Sequence, residues 1–181
     1  MRTWIRGALL VLSFALPAAA QHTPLVEVSG NYTYVRANAP PGGCGCFSMN
    51  GGGASAAFNV TSYLGIVGDF TGVTNSNVNG SQSGLTLMSY TFGPRLSWRN
   101  HTRWTPFAQT LFGGVYGSAA QGGSSAYAMN VGGGMDVNVS SRWSVRLIDA
   151  DYYYTNFPNG VNSRQNNLRL GAGIVFRIGR H

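Results

Sequence analysis

Near the end of the chain runs Asn166-Asn-Leu-Arg-Leu-Gly-Ala-Gly-Ile-Val-Phe-Arg-Ile178, and its two parities differ in character. Leu168, Leu170, Ala172, Ile174, Phe176 and Ile178 fall on one, while Asn167, Arg169, Gly171, Gly173, Val175 and Arg177 fall on the other. Successive side chains of a strand point to opposite faces, so the segment predicts a strand with one apolar face and one polar or small face. What covers the apolar face decides the fold.

The alternation recurs upstream. Val26, Val28, Tyr32 and Tyr34 oppose Glu27, Ser29, Asn31 and Thr33, and Leu64, Ile66 and Phe70 oppose Gly65, Val67, Asp69 and Thr71. Met88, Tyr90, Phe92, Leu96 and Trp98 oppose Ser89, Thr91, Arg95 and Ser97. Tyr127, Met129, Val131, Met135, Val137 and Val139 oppose Ala126, Ala128, Asn130, Gly132, Asp136 and Asn138. Three further segments are weaker: 52–60 is short of large side chains, 106–116 is apolar on both parities, and 143–155 changes parity midway. The expected count is eight strands.

Composition agrees. The 181 residues include 12 Arg, no Lys, 5 acids and 26 Gly, and only 9% are charged. With 44% hydrophobic and 12% aromatic residues the chain is not disordered, and its length suits one domain. Residues 37–68 and 104–135 carry no charge at all, which a water-facing surface would rarely allow. Glycine and asparagine are frequent in those stretches, which disfavours long helices.

Residues 1–20 combine Arg2 and Arg6, an apolar run from Gly7 to Leu16, Pro17 and the small residues Ala18, Ala19 and Ala20. This is the pattern of a cleavable signal peptide, with cleavage expected before Gln21 and a mature barrel domain over 21–181. That domain has 12 − 2 = 10 Arg against 5 acids, a net +5. The arginines are single and scattered, so nucleic acid is not an expected partner. No run of 18 apolar residues follows, so no transmembrane helix is expected. An exported, helix-poor, charge-poor chain can still enter a membrane by closing its strands into a barrel, which leaves no backbone group unpaired.

The connections support that reading. Those after strands two, four and six are short (Thr61 and Ser62, Arg99 to Thr105, Ser140 to Arg142), whereas those near 37–51, 75–84, 117–125 and 156–165 are longer. Short periplasmic turns and longer outer loops are the asymmetry of an outer-membrane barrel. Trp98, Trp104 and Trp143 lie at or beside the short turns, where an interfacial girdle belongs, and Tyr34, Tyr116, Tyr153, Tyr154 and Phe157 gather near the long loops.

The stretches Gly132-Gly-Gly-Met-Asp-Val-Asn-Val-Ser-Ser-Arg-Trp-Ser-Val-Arg146 and Asn166–Arg177, together with Gly93-Pro-Arg95, resemble strands of small OmpA-type outer-membrane β-barrels. The resemblance implies an all-β, eight-stranded, antiparallel up-and-down transmembrane barrel set in outer-membrane lipid and lipopolysaccharide and inserted by the barrel assembly machinery. No peptidoglycan-binding domain is expected after the barrel, and wall anchoring is not implied. Phe176, five residues from the end, takes the place of the family's terminal aromatic.

Few groups offer chemistry. Cys44 and Cys46 form a C-x-C in the first long loop; a tight disulfide is the favoured reading, with free thiols or a metal site as alternatives. His101 lies in a short turn beside Arg103 without an acid, and His22 and His181 are near the ends, so no catalytic residue, metal or cofactor is expected. The Gly runs lack the strand-to-helix setting of a phosphate loop. The inward charges are more telling. Glu27, Asp69, Arg95, Asp136, Arg169 and Arg177 take the lumen parity, and Arg146 with Asp149 or Asp151 can share it only through a β-bulge near Ile148. Strand order predicts the pairs Glu27 with Arg177, Asp136 with Arg146, Asp151 with Arg169 and Asp69 with Arg95, with Asp149 between Arg146 and Arg169. The expected role is structural, or surface contact through the outer loops, without catalysis; a narrow pore and a lipid-modifying barrel enzyme are the alternatives. The sequence does not identify a loop partner.

Overall fold

The computed structural model describes residues 23–37, 46–76, 84–100, 102–119, 122–157 and 164–179. The expected leader 1–20, Cys44 and all three histidines lie outside them. Eight strands follow in order: β1 Val26–Ala37, β2 Phe47–Asn59, β3 Leu64–Asn75, β4 Leu85–Ser97, β5 Trp104–Ala119, β6 Gly122–Asn138, β7 Trp143–Thr155 and β8 Gln165–Ile178. Each pairs antiparallel with the next, and β8 returns to β1, closing the barrel.

The register fixes the barrel's shape. Val26 faces Phe58, Phe58 faces Ile66, and Ile66 faces Pro94. The pairs Phe92–Phe112 and Arg95–Gln109 set Pro94 opposite Thr110, and the path continues through Val131, Tyr152 and Leu168 to Arg36. It regains β1 36 − 26 = 10 residues from its start. Eight strands with that stagger tilt by about 40° and enclose a backbone radius of about 8 Å.

Parity sorts the side chains as the sequence predicts. Val28, Tyr32, Phe70, Tyr90, Phe92, Val131 and Ile174 are exposed on the outer wall, Phe92 at 67%, while Leu170 and Val137 are half-exposed there. An apolar belt of this extent is covered by lipid, not water. Trp98, Trp104 and Trp143 ring its short-turn edge, and the Trp143 ring lies 4.7 Å from that of Phe176. The irregularity anticipated near Ile148 is present. Leu147 has no partner on β6, and Leu147 and Ile148 both face outward, so Arg146 and Asp149 both turn inward.

Three features differ from the sequence expectations. β2 begins at Phe47 instead of near 52, and the expected loop 117–125 is mostly strand, with β5 and β6 in register up to Ala119 and Gly122. These strand tops lie above the lipid band, so nothing there demands apolar alternation, and backbone pairing alone carries the sheet upward. Third, Tyr153 is buried in the lumen and Phe157 packs against the same cluster, so neither belongs to the outer girdle. The bulge puts Tyr153 in phase with the inward Asp151.

Candidate functional site

The lumen is filled at three levels. At the short-turn end, Glu27 and Arg177 are direct cross-strand neighbours, and Arg177 Nε donates to Glu27 Oε1 at 3.2 Å. Arg177 Nη2 also donates to Asn138 Oδ1. Arg99, expected in a turn, continues the inward parity of Arg95 and Ser97 beyond β4. Its Nη2 donates to Glu27 Oε2 at 3.0 Å and to Asn59 Oδ1 at 3.1 Å, and its Nη1 to the Ser62 carbonyl at 2.7 Å. Parity was the signal for Arg99: two more steps along β4 reach it.

The middle level is a belt of charge. Asp136 and Arg146 face each other in register, and Arg146 Nε and Nη2 donate to the two Asp136 oxygens at 2.9 and 3.1 Å. Arg146 Nη1 reaches Asp149 Oδ2 at 3.3 Å. The Phe107 ring meets two guanidinium groups, Arg95 and Arg146, each 4.6 Å from its centroid in a cation–π contact. Gly134 leaves room for both the Ile148 carbonyl and that ring, since a Cβ there would press on the carbonyl and lie 2.7 Å from the ring.

The expected Asp151–Arg169 pair is in register but is the weaker contact of that arginine, and the expected Asp69–Arg95 pair is corrected. Arg169 does not take Asp151 as its main partner; Nη1 and Nη2 donate to Asp69 at 3.0 and 2.9 Å, whereas Asp151 lies 4.0 Å from Nε. Arg95 is therefore not the partner of Asp69. Its Nε and Nη2 donate to Gln109 Oε1 at 3.1 and 2.7 Å. Gln109 Nε2 in turn donates to Asp149 at 3.1 Å and to both Asp151 oxygens at 3.3 Å. The reason is geometric: in so narrow a barrel an arginine from β8 reaches past β1 and β2 to β3, and strand adjacency does not describe that reach. A search restricted to charged residues also passes over Gln109, the neutral bridge. Five arginines (Arg95, Arg99, Arg146, Arg169, Arg177) thus share the lumen with all five acids of the chain, and it is neutral.

Above the belt lies an apolar cap. Val35, Met49, Val73, Leu87, Val115, Ala128 and Tyr153, one from each of β1 to β7, form a single buried cluster. Phe47, Leu85, Ala126 and Phe157 pack against it. Val35 stands on the lumen parity of β1, so its inward position could be read from the sequence; that seven strands supply one level could not, because the register was unknown. Cys46 is exposed just before β2. Among the described residues no group of three or more His, Cys, Asp or Glu side chains could hold a metal ion. Chemically the lumen compensates charge and excludes solvent: each of its five carboxylates meets a guanidinium or amide group.

The chain matches the family described as outer membrane protein beta-barrel domain over residues 7–176. No curated protein sequence matches it. Among solved structures it resembles Neisserial surface protein A, with a TM-score of 0.67 at 16% identity over 84% of this chain and 97% of that one. OprG from Pseudomonas aeruginosa gives a TM-score of 0.53 at 9% identity, covering 88% and 98%. Ail, the attachment invasion locus protein of Yersinia pestis, gives 0.50 at 16%, covering 85% and 99%. These likenesses share the fold. With the family match over nearly its whole length, the chain belongs to the outer membrane protein β-barrel family and resides in the outer membrane.

Proposed function

We propose that this barrel has a structural and surface-contact role, exerted through its outer connections 38–46, 76–84 and 156–164 and the raised β5–β6 hairpin. The observation that carries the reading is the lumen, closed by a polar floor, a belt of paired charges and an apolar cap. A barrel of eight strands is just wide enough for side chains to fill. With the lumen occupied and the wall committed to lipid, the outer connections are what the barrel offers to its surroundings. Outer-membrane lipid and lipopolysaccharide surround the wall in this reading, and the barrel assembly machinery inserts the chain through β8.

Planar-bilayer recording of the refolded full chain tests it. The expected result is no steady conductance; a stable open level would favour the pore. Mass spectrometry of outer-membrane lipid from expressing cells tests the enzyme alternative, and acyl or headgroup changes dependent on the protein would overturn the non-catalytic reading.

A further inference from the structure

Because all five acids are buried in the lumen, the barrel's outer surface carries arginine with no acid to balance it. At the short-turn end two of these arginines, Arg103 and Arg142, are exposed. Each directly precedes a girdle tryptophan, Trp104 on β5 and Trp143 on β7, and both rings are 51% exposed. The backbone at these corners is fixed. The Arg103 carbonyl accepts from the Asn138 N–H at 2.8 Å, and the Arg142 carbonyl accepts from the Arg177 N–H at 2.8 Å. Only β6 lies between β5 and β7, so the two Arg–Trp corners stand about two strand spacings apart, roughly 10 Å. Val139, exposed at 65%, lies between them. Behind them, Arg99 and Arg177 share Glu27, so among the described residues this end holds four arginines against one acid, a net +3.

We propose that the Arg103–Trp104 and Arg142–Trp143 corners bind the phosphates of anionic phospholipid in the leaflet at the short-turn end, which in this family faces the periplasm. The tryptophans hold the corners at headgroup depth, the arginine stems lie along the apolar edge, and the guanidinium groups reach the phosphate plane. A guanidinium meets a phosphate with a fork of donors, and here no protein carboxylate competes for it. The site is therefore an arc of the barrel's foot selective for a negative headgroup over a zwitterionic one.

The test is competition between spin-labelled phosphatidylglycerol and phosphatidylcholine for the wall of the full chain reconstituted in phosphatidylcholine bilayers. Wild type should prefer phosphatidylglycerol, each arginine contributing about fivefold. The preference should shrink at high salt. R103Q together with R142Q should bring the two lipids close to parity, while the paired lysine variants R103K and R142K retain most of the preference. Arg36→Gln, at the opposite rim, should leave it unchanged. These are exposed positions, and heat-dependent gel mobility verifies that each variant is folded. An undiminished preference in the double glutamine variant overturns the proposal. So does equal loss on Arg36→Gln. If inorganic phosphate at millimolar concentration stabilises the protein in phosphatidylcholine alone while phosphatidylglycerol shows no preference, the site takes free phosphate and the lipid assignment is wrong.

Discussion

Arg169 shows what one side chain decides in a closed interior. It is bidentate on Asp69, with Asp151 at the margin of its reach. Removing one partner of a buried pair strands the other charge, whereas removing both does not. Arg169→Ala should therefore cost about 3–5 kcal/mol, measured as the shift of the urea unfolding midpoint in bilayers. Arg169→Ala with Asp69→Ala should recover a clear part of that loss, and Arg169→Ala with Asp151→Ala less. A larger recovery with Asp151 would mean that strand adjacency, not reach across the lumen, governs pairing. Most residues of this network were legible in the sequence because parity and charge both mark them; Arg99, expected in a turn, and the uncharged Gln109 were not. Three of the four expected pairs, Glu27 with Arg177, Asp136 with Arg146 and Asp151 with Arg169, are direct register partners. What was not legible is that the curvature of the wall turns Arg169 more closely onto Asp69, and that Arg95 pairs with the uncharged Gln109.

Among the elements, legibility follows the solvent. β8, β1 and β4 were plain because lipid on one side and a packed lumen on the other force strict alternation. The tops of β5 and β6 were hidden because both of their faces leave the lipid, and Gly122-Gly-Ser-Ser125 reads as a turn although it pairs as a strand. β7 was ambiguous for the opposite reason, a bulge that swaps its parity at Leu147 and Ile148. These differences predict where a charge is tolerated. Phe92 lies 98 − 92 = 6 residues above Trp98, about 15 Å up the wall at ~3.3 Å per residue and ~40° tilt. Ser124 lies 137 − 124 = 13 residues above Val137, about 33 Å by the same measure and beyond a lipid band of about 25 Å. Phe92→Arg should cost ~2–4 kcal/mol and Ser124→Arg ~0–1 kcal/mol, read as urea midpoints in bilayers of matched thickness. Equal costs would mean that the β5–β6 hairpin does not rise clear of the lipid.

For the whole molecule, the three fillings of the lumen act in series. The floor of Glu27, Arg99 and Arg177 closes the short-turn end, the belt around Phe107 closes the middle, and the cap of Val35, Met49, Val73, Leu87, Val115, Ala128 and Tyr153 closes the top. Closures in series conduct only when all are breached, so opening one should change stability without changing permeability. Arg169→Ala loosens the belt yet leaves the cap intact. Leu87→Ser with Val115→Ser wets the cap, since an apolar constriction excludes ions by excluding water, yet leaves the belt paired. Each of these variants should stay electrically silent in planar bilayers while unfolding at lower urea than wild type. Combining them leaves only the floor, where two guanidinium groups share one carboxylate, and adding Arg99→Ala removes half of that contact. The combined variant should therefore be the first to show steady current. A stable conductance from Arg169→Ala alone would mean that the cap does not seal, and the sealed-lumen reading would then fail.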